Sequence, residues 1–324
     1  VPEEYGGHGG DFRHEMVVID QQAKHGVEGF AASLHNTVIL PYLVRHGTEE
    51  QKKKYLPKLV SGELVSAIAM TEPGVGSDLQ SVTTTALKDG NGYRINGAKT
   101  YISNGQTADF IIVVAKTDPN ERAKGISLML LETEGAEGFQ RGKKLDKIGL
   151  DASDTSELFF DDVFVPAENV LGGEEGKGFY QLMGELPQER LIIAMGAMTG
   201  IEKALETTLD FVKNRKAFGQ TIWDFQNTQF VMADLKARAT AAKIFVNDCI
   251  AKHLKRELDV PTACMAKYWV TELQGEVVDK CLQFHGGAGF INDYPIARMY
   301  RDSRITRIFG GSNEVMKMVI ARSM

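Results

Sequence analysis

The spacing of the hydrophobic residues changes twice along this 324-residue chain, and this change constrains the fold more than any other feature. Helical spacing of three and four residues extends from Asp11 to about Ser61. A period of two begins near Glu63, and helical spacing returns after the Gly-rich segment 171–178. Because strands have a side-chain period of two and helices a period near 3.6, this order predicts helices, then a sheet, then helices.

The first segment predicts three helices. Phe12, Met16, Ile19 and Ala23 recur at helical spacing, and Gly26 ends that run. A second helix is predicted over residues 29–45. The small side chains of Gly29, Ala31, Ala32 and Ser33 indicate either close helix packing or the floor of a deep apolar pocket. A third helix is expected after residues 48–51, whose sequence Thr-Glu-Glu-Gln is typical of a capping box.

The middle segment predicts a compact antiparallel barrel or sandwich. Residues 82–86 alternate, and Asp89-Gly-Asn-Gly92 predicts a chain reversal. A second reversal is predicted at Asn96-Gly97, followed by a strand over 100–103. Three further strands are predicted from the apolar runs 110–115, 126–131 and 158–165.

The last segment carries three long apolar stripes at helical spacing, which is typical of a helical bundle. Their members are Leu191, Met195, Met198, Ile201, Leu205, Leu209 and Val212; Val231, Leu235, Ala239, Ala242, Val246 and Cys249; and Ala266, Val270, Leu273, Val277, Cys281 and Phe284. The chain is therefore predicted to be a multidomain α and β protein with domains at 1–62, 63–170 and 171–324.

The composition excludes several functional classes. A net charge of −6 and a pI near 5.7 argue against nucleic acid binding, which favours basic surfaces. The longest apolar run, at 110–115, has the length of a strand, so no membrane span is expected. Cys249, Cys264 and Cys281 form neither a close pair nor a metal-ligand spacing, and we interpret them as buried thiols of a reducing compartment.

Two short stretches carry residues suited to chemistry. Thr71-Glu-Pro-Gly-Val-Gly-Ser-Asp78 combines glycines with hydroxyl side chains, which suits a phosphate or the edge of a heterocycle, although a plain turn would have a similar sequence. Glu185 and Glu189 lie four residues apart, and Arg190 follows Glu189 directly. An isolated Glu-Arg pair is usually a surface ion pair, and a general base is the alternative.

Several motifs together make the chain resemble the acyl-CoA dehydrogenase family over nearly all 324 residues. They occur in the order and spacing of that family. The matching stretches are 67–78, 96–105, Arg215-Lys-Ala-Phe-Gly219 with Gln226, Gln283-Phe-His-Gly-Gly-Ala-Gly-Phe290, and 302–321. The family begins with further helices, so we expect this chain to lack the family's first N-terminal helices.

The resemblance implies an N-terminal α-helical domain, a central antiparallel β-barrel and a C-terminal four-helix bundle, with FAD between barrel and bundle. Ile68, Met70 and Thr71 would contact the flavin ring, and Gly76 and Ser77 its pyrophosphate side.

The segment Tyr101-Ile102-Ser103 matches the family's Trp-Ile-Thr/Ser segment, which would bring the Ser103 hydroxyl near flavin N5. Tyr101 replaces the family's Trp, so one face of the ring contact is changed. In a homotetramer built from dimers, a further set would reach the FAD of a neighbouring subunit, namely Arg215, Phe218, Gln226, Gln283, Gly286 and Gly287. Ser312 and Glu314 would also approach the cofactor.

The implied reaction is α,β-dehydrogenation of an acyl-CoA thioester to trans-2-enoyl-CoA, with the β-hydride passing to flavin N5. The family's usual base is the Glu of a Tyr-Glu-Gly-Thr motif, but this chain has Gly310 at that position. Either the enzyme is inactive or the base lies elsewhere. The long-chain and isovaleryl-type branches carry it on the first bundle helix directly before an Arg, and Glu189 matches that position. Glu185 is the rival carboxylate, and Pro187 between them is predicted to mark a kink or the true helix start.

The resemblance also implies contacts to the acyl-CoA substrate, from Ser77, Gln188, Arg190, Phe309 and Gly310. The Gly310 N–H would stabilise the thioester oxygen. The expected substrates are long or branched acyl groups of fatty-acid β-oxidation. The expected electron acceptor is an electron-transferring flavoprotein. The expected location is the cytoplasm if the protein is bacterial and the mitochondrial matrix if it is eukaryotic.

Two other functions remain open from the sequence. An oxygen-reactive flavin oxidase or monooxygenase could use the same scaffold, although oxidases usually have an extra helical domain and monooxygenases usually lack the thioester base. A catalytically silent assembly protein is the second alternative, and the retained flavin motifs count against it.

Overall fold

The computed structural model describes residues 1–324, apart from the side chain of Glu28. The chain forms two compact units. The first comprises residues 1–15, 29–147 and 151–185, and the second comprises 16–28, 148–150 and 186–324. The division into domains 1–62, 63–170 and 171–324 stays a prediction.

Two of the N-terminal helices follow the sequence pattern closely. α1 (Phe12–His25) ends at Gly26, whose φ of +66° suits a residue without a side chain. α3 (Glu49–Ser61) begins with the predicted capping box. The Gln51 N–H donates to the Thr48 hydroxyl over 3.3 Å, and the Thr48 N–H donates to the Gln51 side chain over 3.0 Å. The end of α1 and the start of α3 are therefore both set by local sequence.

The predicted helix over 29–45 is interrupted. Residues Glu28–Phe30 form a 3₁₀ turn, Leu34–Ile39 form a π-helix, and only α2 (Leu40–His46) is α-helical. Pro41 at the start of α2 has no N–H to donate, and its ring would clash with the carbonyl four residues earlier in a regular helix. The π-helical turn before Pro41 departs from that regular geometry, and such turns are rare in proteins.

The sheet of the first unit has seven strands. Their bounds are β1 (Ser66–Ala69), β2 (Thr85–Asp89), β3 (Gly92–Ser103), β4 (Phe110–Lys116), β5 (Ile126–Glu132), β6 (Phe139–Lys144) and β7 (Thr155–Pro166). The order is β1-β4-β2-β3-β7-β6, and β5 pairs with β4. The largely exposed strand β6 has no clear alternation, which is why the sequence did not predict it.

The predicted antiparallel sheet is only partly correct. β1 pairs with β4 in parallel, and β2 also meets β4 in parallel at Thr85. The β2–β3 hairpin separates β1 from β4 in the chain, so the connection is long enough for the chain to return to the same end of the sheet. Closure of this mixed sheet into an antiparallel barrel is not confirmed.

One predicted reversal is confirmed and one is wrong. Asp89 pairs with Gly92 across a two-residue turn that joins β2 and β3. At Asn96-Gly97, by contrast, the chain continues along β3 through a β-bulge. A Cβ at Gly97 would lie 2.8 Å from the Thr84 Cα, so glycine here permits close strand packing and does not form a turn.

Helices dominate the rest of the chain. They are α4 (Gly178–Asn214), α5 (Gln226–Leu254), α6 (Val260–His285), α7 (Pro295–Ser303) and α8 (Asn313–Arg322), with a hairpin of β8 (Lys216–Ala217) and β9 (Gln220–Thr221) before α5. Most members of the three predicted stripes are buried, which confirms them as core. α4 begins at Gly178, before Pro187, so of the two predicted roles of this proline the true helix start is excluded, and the kink stays a prediction. The four-helix arrangement itself is not confirmed.

Within the described part of the chain, no helix is long and apolar enough to cross a membrane.

Candidate active site

A buried ion pair fixes the loop that follows β1. The Lys99 ammonium on β3 donates to a Glu72 carboxylate oxygen over 2.9 Å and to the Met70 carbonyl over 3.0 Å. Glu72 also accepts hydrogen bonds from the backbone N–H groups of Thr83 and Thr84, over 2.7 and 2.9 Å. One carboxylate therefore connects three separate segments of the first unit.

These contacts shift the pKa values of both partners. Burial by itself would raise the pKa of Glu72, but Lys99 and the hydrogen bonds from Thr83 and Thr84 outweigh it and lower the pKa to about 2. Burial lowers the pKa of Lys99 to about 8 against the opposing effect of Glu72. Neither Glu72 nor Lys99 is among the residues that the sequence pattern predicts to act in the site. The signal that could have identified them is a lysine at a buried position of a strand, which requires a partner.

The fixed loop presents the predicted cofactor residues of the first unit. Backbone bonds between Glu72 and Val75 close a tight turn, after which Gly76 and Ser77 are exposed. A Cβ at Gly76 would meet no atom within 4 Å, so the backbone there is open to a ligand. Ile68, Met70 and Thr71 are half-buried around the end of β1.

The second predicted cofactor segment lies beside this loop. The Thr100 N–H donates to the Thr71 carbonyl over 2.9 Å, which brings residues 101–103 next to the loop. Tyr101 has a φ of +60° and a 68% exposed side chain. Ile102 is buried and Ser103 is half-buried. The structure therefore brings these eight predicted residues together in the first unit.

The two candidate carboxylates have different surroundings. Glu185 is 2% exposed, and its carboxylate accepts a hydrogen bond from Arg45 and lies 2.9 Å from His46 Nε2. Both oxygens of Glu185 are therefore engaged within the first unit. Glu189 is 7% exposed in the second unit, and its neighbours Gln188 and Arg190 are also buried. Arg190 Nη1 donates to the Cys264 sulfur on α6 over 3.3 Å.

Gly310 lies against the helix face that carries Glu189. Its φ is +63°, and a Cβ added there would lie 2.4 Å from Ile193 Cδ1. Ile193 follows Glu189 by four residues on α4, and residues with this spacing share one helix face. Glu189 therefore lies on the face of α4 that packs against the segment containing Gly310.

The segment after Gly310 is anchored by α6 and by the start of α8. Lys267 Nζ donates to the Gly311 carbonyl over 2.8 Å. Ser312 caps α8 by accepting from the Val315 N–H over 3.4 Å. Hydrogen bonds from its own backbone N–H and from Ser312 lower the pKa of Glu314. Phe309 is partly exposed directly before Gly310.

The remaining predicted cofactor residues are exposed in the second unit. Phe218 is 95% exposed at the tip of the β8–β9 hairpin, with Arg215 before the hairpin and Gln226 at the start of α5. Gln283 lies near the end of α6, followed by Gly286 and Gly287, where a Cβ would meet no atom within 4 Å.

Each unit has features that suit a flavin nucleotide. In the first unit, Gly76 leaves open backbone of the kind that phosphate groups approach, Thr71 and Ser77 add hydroxyls, and Tyr101 offers an exposed aromatic ring to a flat ligand. In the second unit, Gly286 and Gly287 leave open backbone and Phe218 offers an exposed ring.

Three models of the acyl-CoA dehydrogenase family match the chain: the N-terminal domain over residues 1–63, the middle domain over 67–163 and the C-terminal domain over 176–324. The chain therefore belongs to the acyl-CoA dehydrogenase family and is an oxidoreductase of that family.

Among characterised relatives, the chain is 48% identical to the mitochondrial long-chain specific acyl-CoA dehydrogenase of Sus scrofa, covering 100% of this chain and 75% of that protein. It is 38% identical to the mitochondrial isovaleryl-CoA dehydrogenase of Oryza sativa, covering 100% and 79%. The crystal structure of an acyl-CoA dehydrogenase from Geobacillus kaustophilus matches with a TM-score of 0.97 at 47% identity, covering 100% and 85%.

Proposed function

We propose that this protein is an FAD-dependent dehydrogenase that converts an acyl-CoA to the trans-2-enoyl-CoA, with Glu189 as the general base. The observation that carries the proposal is the contact of Ile193 with Gly310. Because Glu189 lies one helical turn before Ile193, this contact supports a buried Glu189 carboxylate close to Gly310, the position at which the usual carboxylate is missing. Glu185 is unsuited to the role because Arg45 and His46 already occupy both of its oxygens.

The chemistry divides between a proton and a hydride. Glu189 accepts the α-proton of the thioester. The Gly310 N–H donates a hydrogen bond to the thioester oxygen as negative charge develops there. FAD, when bound, accepts the β-hydrogen as hydride. Positioned bases of this kind accelerate reactions by roughly 10²–10⁴-fold, and a lost oxyanion donor costs about 10²–10³-fold.

The residues proposed to hold FAD form one set in each unit. In the first unit they are Ile68, Met70, Thr71, Gly76, Ser77, Tyr101, Ile102 and Ser103. In the second unit they are Arg215, Phe218, Gln226, Gln283, Gly286, Gly287, Ser312 and Glu314. We propose that Ser77, Gln188, Arg190, Phe309 and Gly310 contact the acyl-CoA.

Long or branched acyl groups are the proposed substrates, because long-chain and isovaleryl enzymes are among the relatives. The small residues at 29, 31, 32 and 33 add little support for a deep pocket, since a Cβ at Gly29 would lie 3.0 Å from the Ala152 Cβ. That contact favours close packing. A bleaching panel from butanoyl- to palmitoyl-CoA, with branched thioesters, would measure the preference directly.

The assignment of the base is tested with Glu189→Gln. We expect the variant to retain yellow FAD and to lose its bleaching by acyl-CoA by at least about 100-fold in rate. Glu206→Gln, on the exposed side of the same helix, is the matched control and should bleach like the unmodified protein. Normal bleaching by Glu189→Gln would show that another group removes the proton.

The same preparation separates the alternative functions. An oxidase or monooxygenase would show fast reaction of the reduced protein with oxygen in stopped-flow measurements, whereas a dehydrogenase reacts slowly. A silent assembly protein would show no bleaching with any acyl-CoA.

We propose an electron-transferring flavoprotein as acceptor and a homotetramer as the assembly. The proposed location is the bacterial cytoplasm or, in a eukaryote, the mitochondrial matrix.

A further inference from the structure

Lys267 is a fully buried cation in the first third of α6, and its ammonium group holds the segment after Gly310. Its Nζ donates to the Gly311 carbonyl over 2.8 Å and to Asn313 Oδ1 over 2.9 Å. The Gly311 carbonyl belongs to the residue directly after Gly310. The Gly310 N–H and the Gly311 carbonyl are joined through one intervening planar peptide unit and the torsions of Gly310 and Gly311, so fixing this carbonyl limits the positions that the Gly310 N–H can adopt.

A second set of bonds holds the same segment from the side of Asn313. Asn313 Nδ2 donates to the Thr271 hydroxyl over 3.0 Å and to Glu272 Oε1 over 2.8 Å. Asn313 is buried, and Thr271 lies one helical turn after Lys267 on α6. The segment 311–313 is therefore bonded to one face of α6 at two successive turns.

The same face of α6 also holds the residue next to Glu189. Cys264 precedes Lys267 by three residues, so the two share a helix face. The Cys264 sulfur accepts the hydrogen bond from Arg190 on α4. One face of α6, made by Cys264, Lys267 and Thr271, thus contacts both the residue beside the proposed base and the segment of the proposed oxyanion donor.

We infer that Lys267 is a positioning residue, which sets the Gly310 N–H against Glu189 so that proton removal and oxyanion stabilisation act on one thioester. This inference rests on the proposed function. In the step concerned, the α-C–H bond breaks and its proton passes to a Glu189 oxygen. The electron pair of that bond forms a double bond to the carbonyl carbon as the carbonyl π pair moves onto the thioester oxygen, which accepts a hydrogen bond from the Gly310 N–H. Lys267 itself neither gains nor loses a proton in this step.

The electrostatic surroundings support a positional role over a purely stabilising one. Burial and the nearby Arg190 together lower the pKa of Lys267 to about 8, against the opposing effect of Glu272 and Glu314. Burying a cation beside a second cation costs free energy that an apolar side chain of similar length would not. We therefore attribute the lysine at this position to its hydrogen bonds with the Gly311 carbonyl and Asn313 Oδ1.

The test uses Lys267→Met in the FAD-loaded protein with a 3-thiaacyl-CoA. Sulfur replaces the β-carbon of this analogue, so it can lose an α-proton but has no β-hydrogen to transfer. We expect exchange of its α-hydrogens for deuterium, followed by mass spectrometry, to slow by about tenfold or more at saturating analogue. Analogue affinity and FAD content should change less than about threefold, because the binding residues remain. Lys280→Met, which removes an exposed lysine of the same helix, is the control and should exchange normally.

Lys267→Gln is the rescue variant, because its amide retains one N–H donor for the Gly311 carbonyl. It should restore part of the exchange rate, and it replaces Lys267→Met if that variant fails to fold. Exchange by both variants at the normal rate, with only a lower thermal midpoint, would overturn the inference and leave Lys267 a structural residue. Absence of exchange in the unmodified protein would instead refute the proposed function.

Discussion

The Lys99 ammonium lies 2.9 Å from a Glu72 carboxylate oxygen, and both side chains are buried beneath the loop proposed to bind the flavin. Lys99→Met would leave Glu72 buried without its cation. We expect a loss of about 3–5 kcal/mol in the free energy of unfolding, measured by urea denaturation. The double variant Lys99→Met/Glu72→Gln should recover part of this loss. If the single and the double variant lose the same free energy of unfolding, the unpaired Glu72 carboxylate contributes little to the loss.

The same pair predicts how stability depends on pH. Since the pKa of Glu72 is about 2 in the folded protein and 4.5 in its ordinary state, its contribution is complete above 4.5 and is lost as the pH falls toward 2. The difference in thermal midpoint between the unmodified protein and Glu72→Gln should therefore shrink as the pH is lowered through this range. A difference that is independent of pH would contradict this assignment.

Glu185→Gln should affect stability and leave chemistry intact. The substitution weakens the bonds to Arg45 and His46 at a buried position, so we expect a loss of about 1–3 kcal/mol in the free energy of unfolding. Bleaching by acyl-CoA should persist at the normal rate in the folded fraction. Loss of bleaching with FAD still bound would indicate that Glu185, and not Glu189, is the base.

Gly310→Ala should strain the proposed oxyanion segment. A side chain at φ of +63° costs about 1–2 kcal/mol, and the added Cβ would also displace Ile193. We expect slower bleaching together with a lower thermal midpoint. Gly196→Ala on α4 is the control, because a Cβ there meets no atom within 4 Å and alanine favours a helix by up to about 1 kcal/mol. Combining Gly310→Ala with Ile193→Val should relieve part of the effect by removing the atom that clashes.

The sequence could predict features that depend on a few neighbouring residues. The capping box at Thr48, the end of α1 at Gly26 and the turn between β2 and β3 were all predicted correctly, because local backbone preferences decide them. The apolar stripes of the long helices were predicted for the same reason, since burial follows helical spacing. The family could also be recognised, because its motifs are contiguous in the chain.

Features set by distant contacts could not be predicted in this way. Asn96-Gly97 has the sequence of a turn, yet packing against Thr84 makes it a bulge within β3. The resemblance already favoured Glu189, which directly precedes Arg190, but only the structure shows that Arg45 and His46 engage both oxygens of Glu185.

The two buried lysines, Lys99 and Lys267, illustrate the difference between features set by local sequence and features set by distant contacts. The sequence by itself determined most of the helical and strand segments and the apolar core, because these follow from residue type and spacing. Its resemblance to the family identified Gly310 as the position where the usual base is missing. Only the tertiary structure decided that Lys99 holds Glu72 and that Lys267 holds Gly311, because a buried charge takes its role from partners far away in the chain.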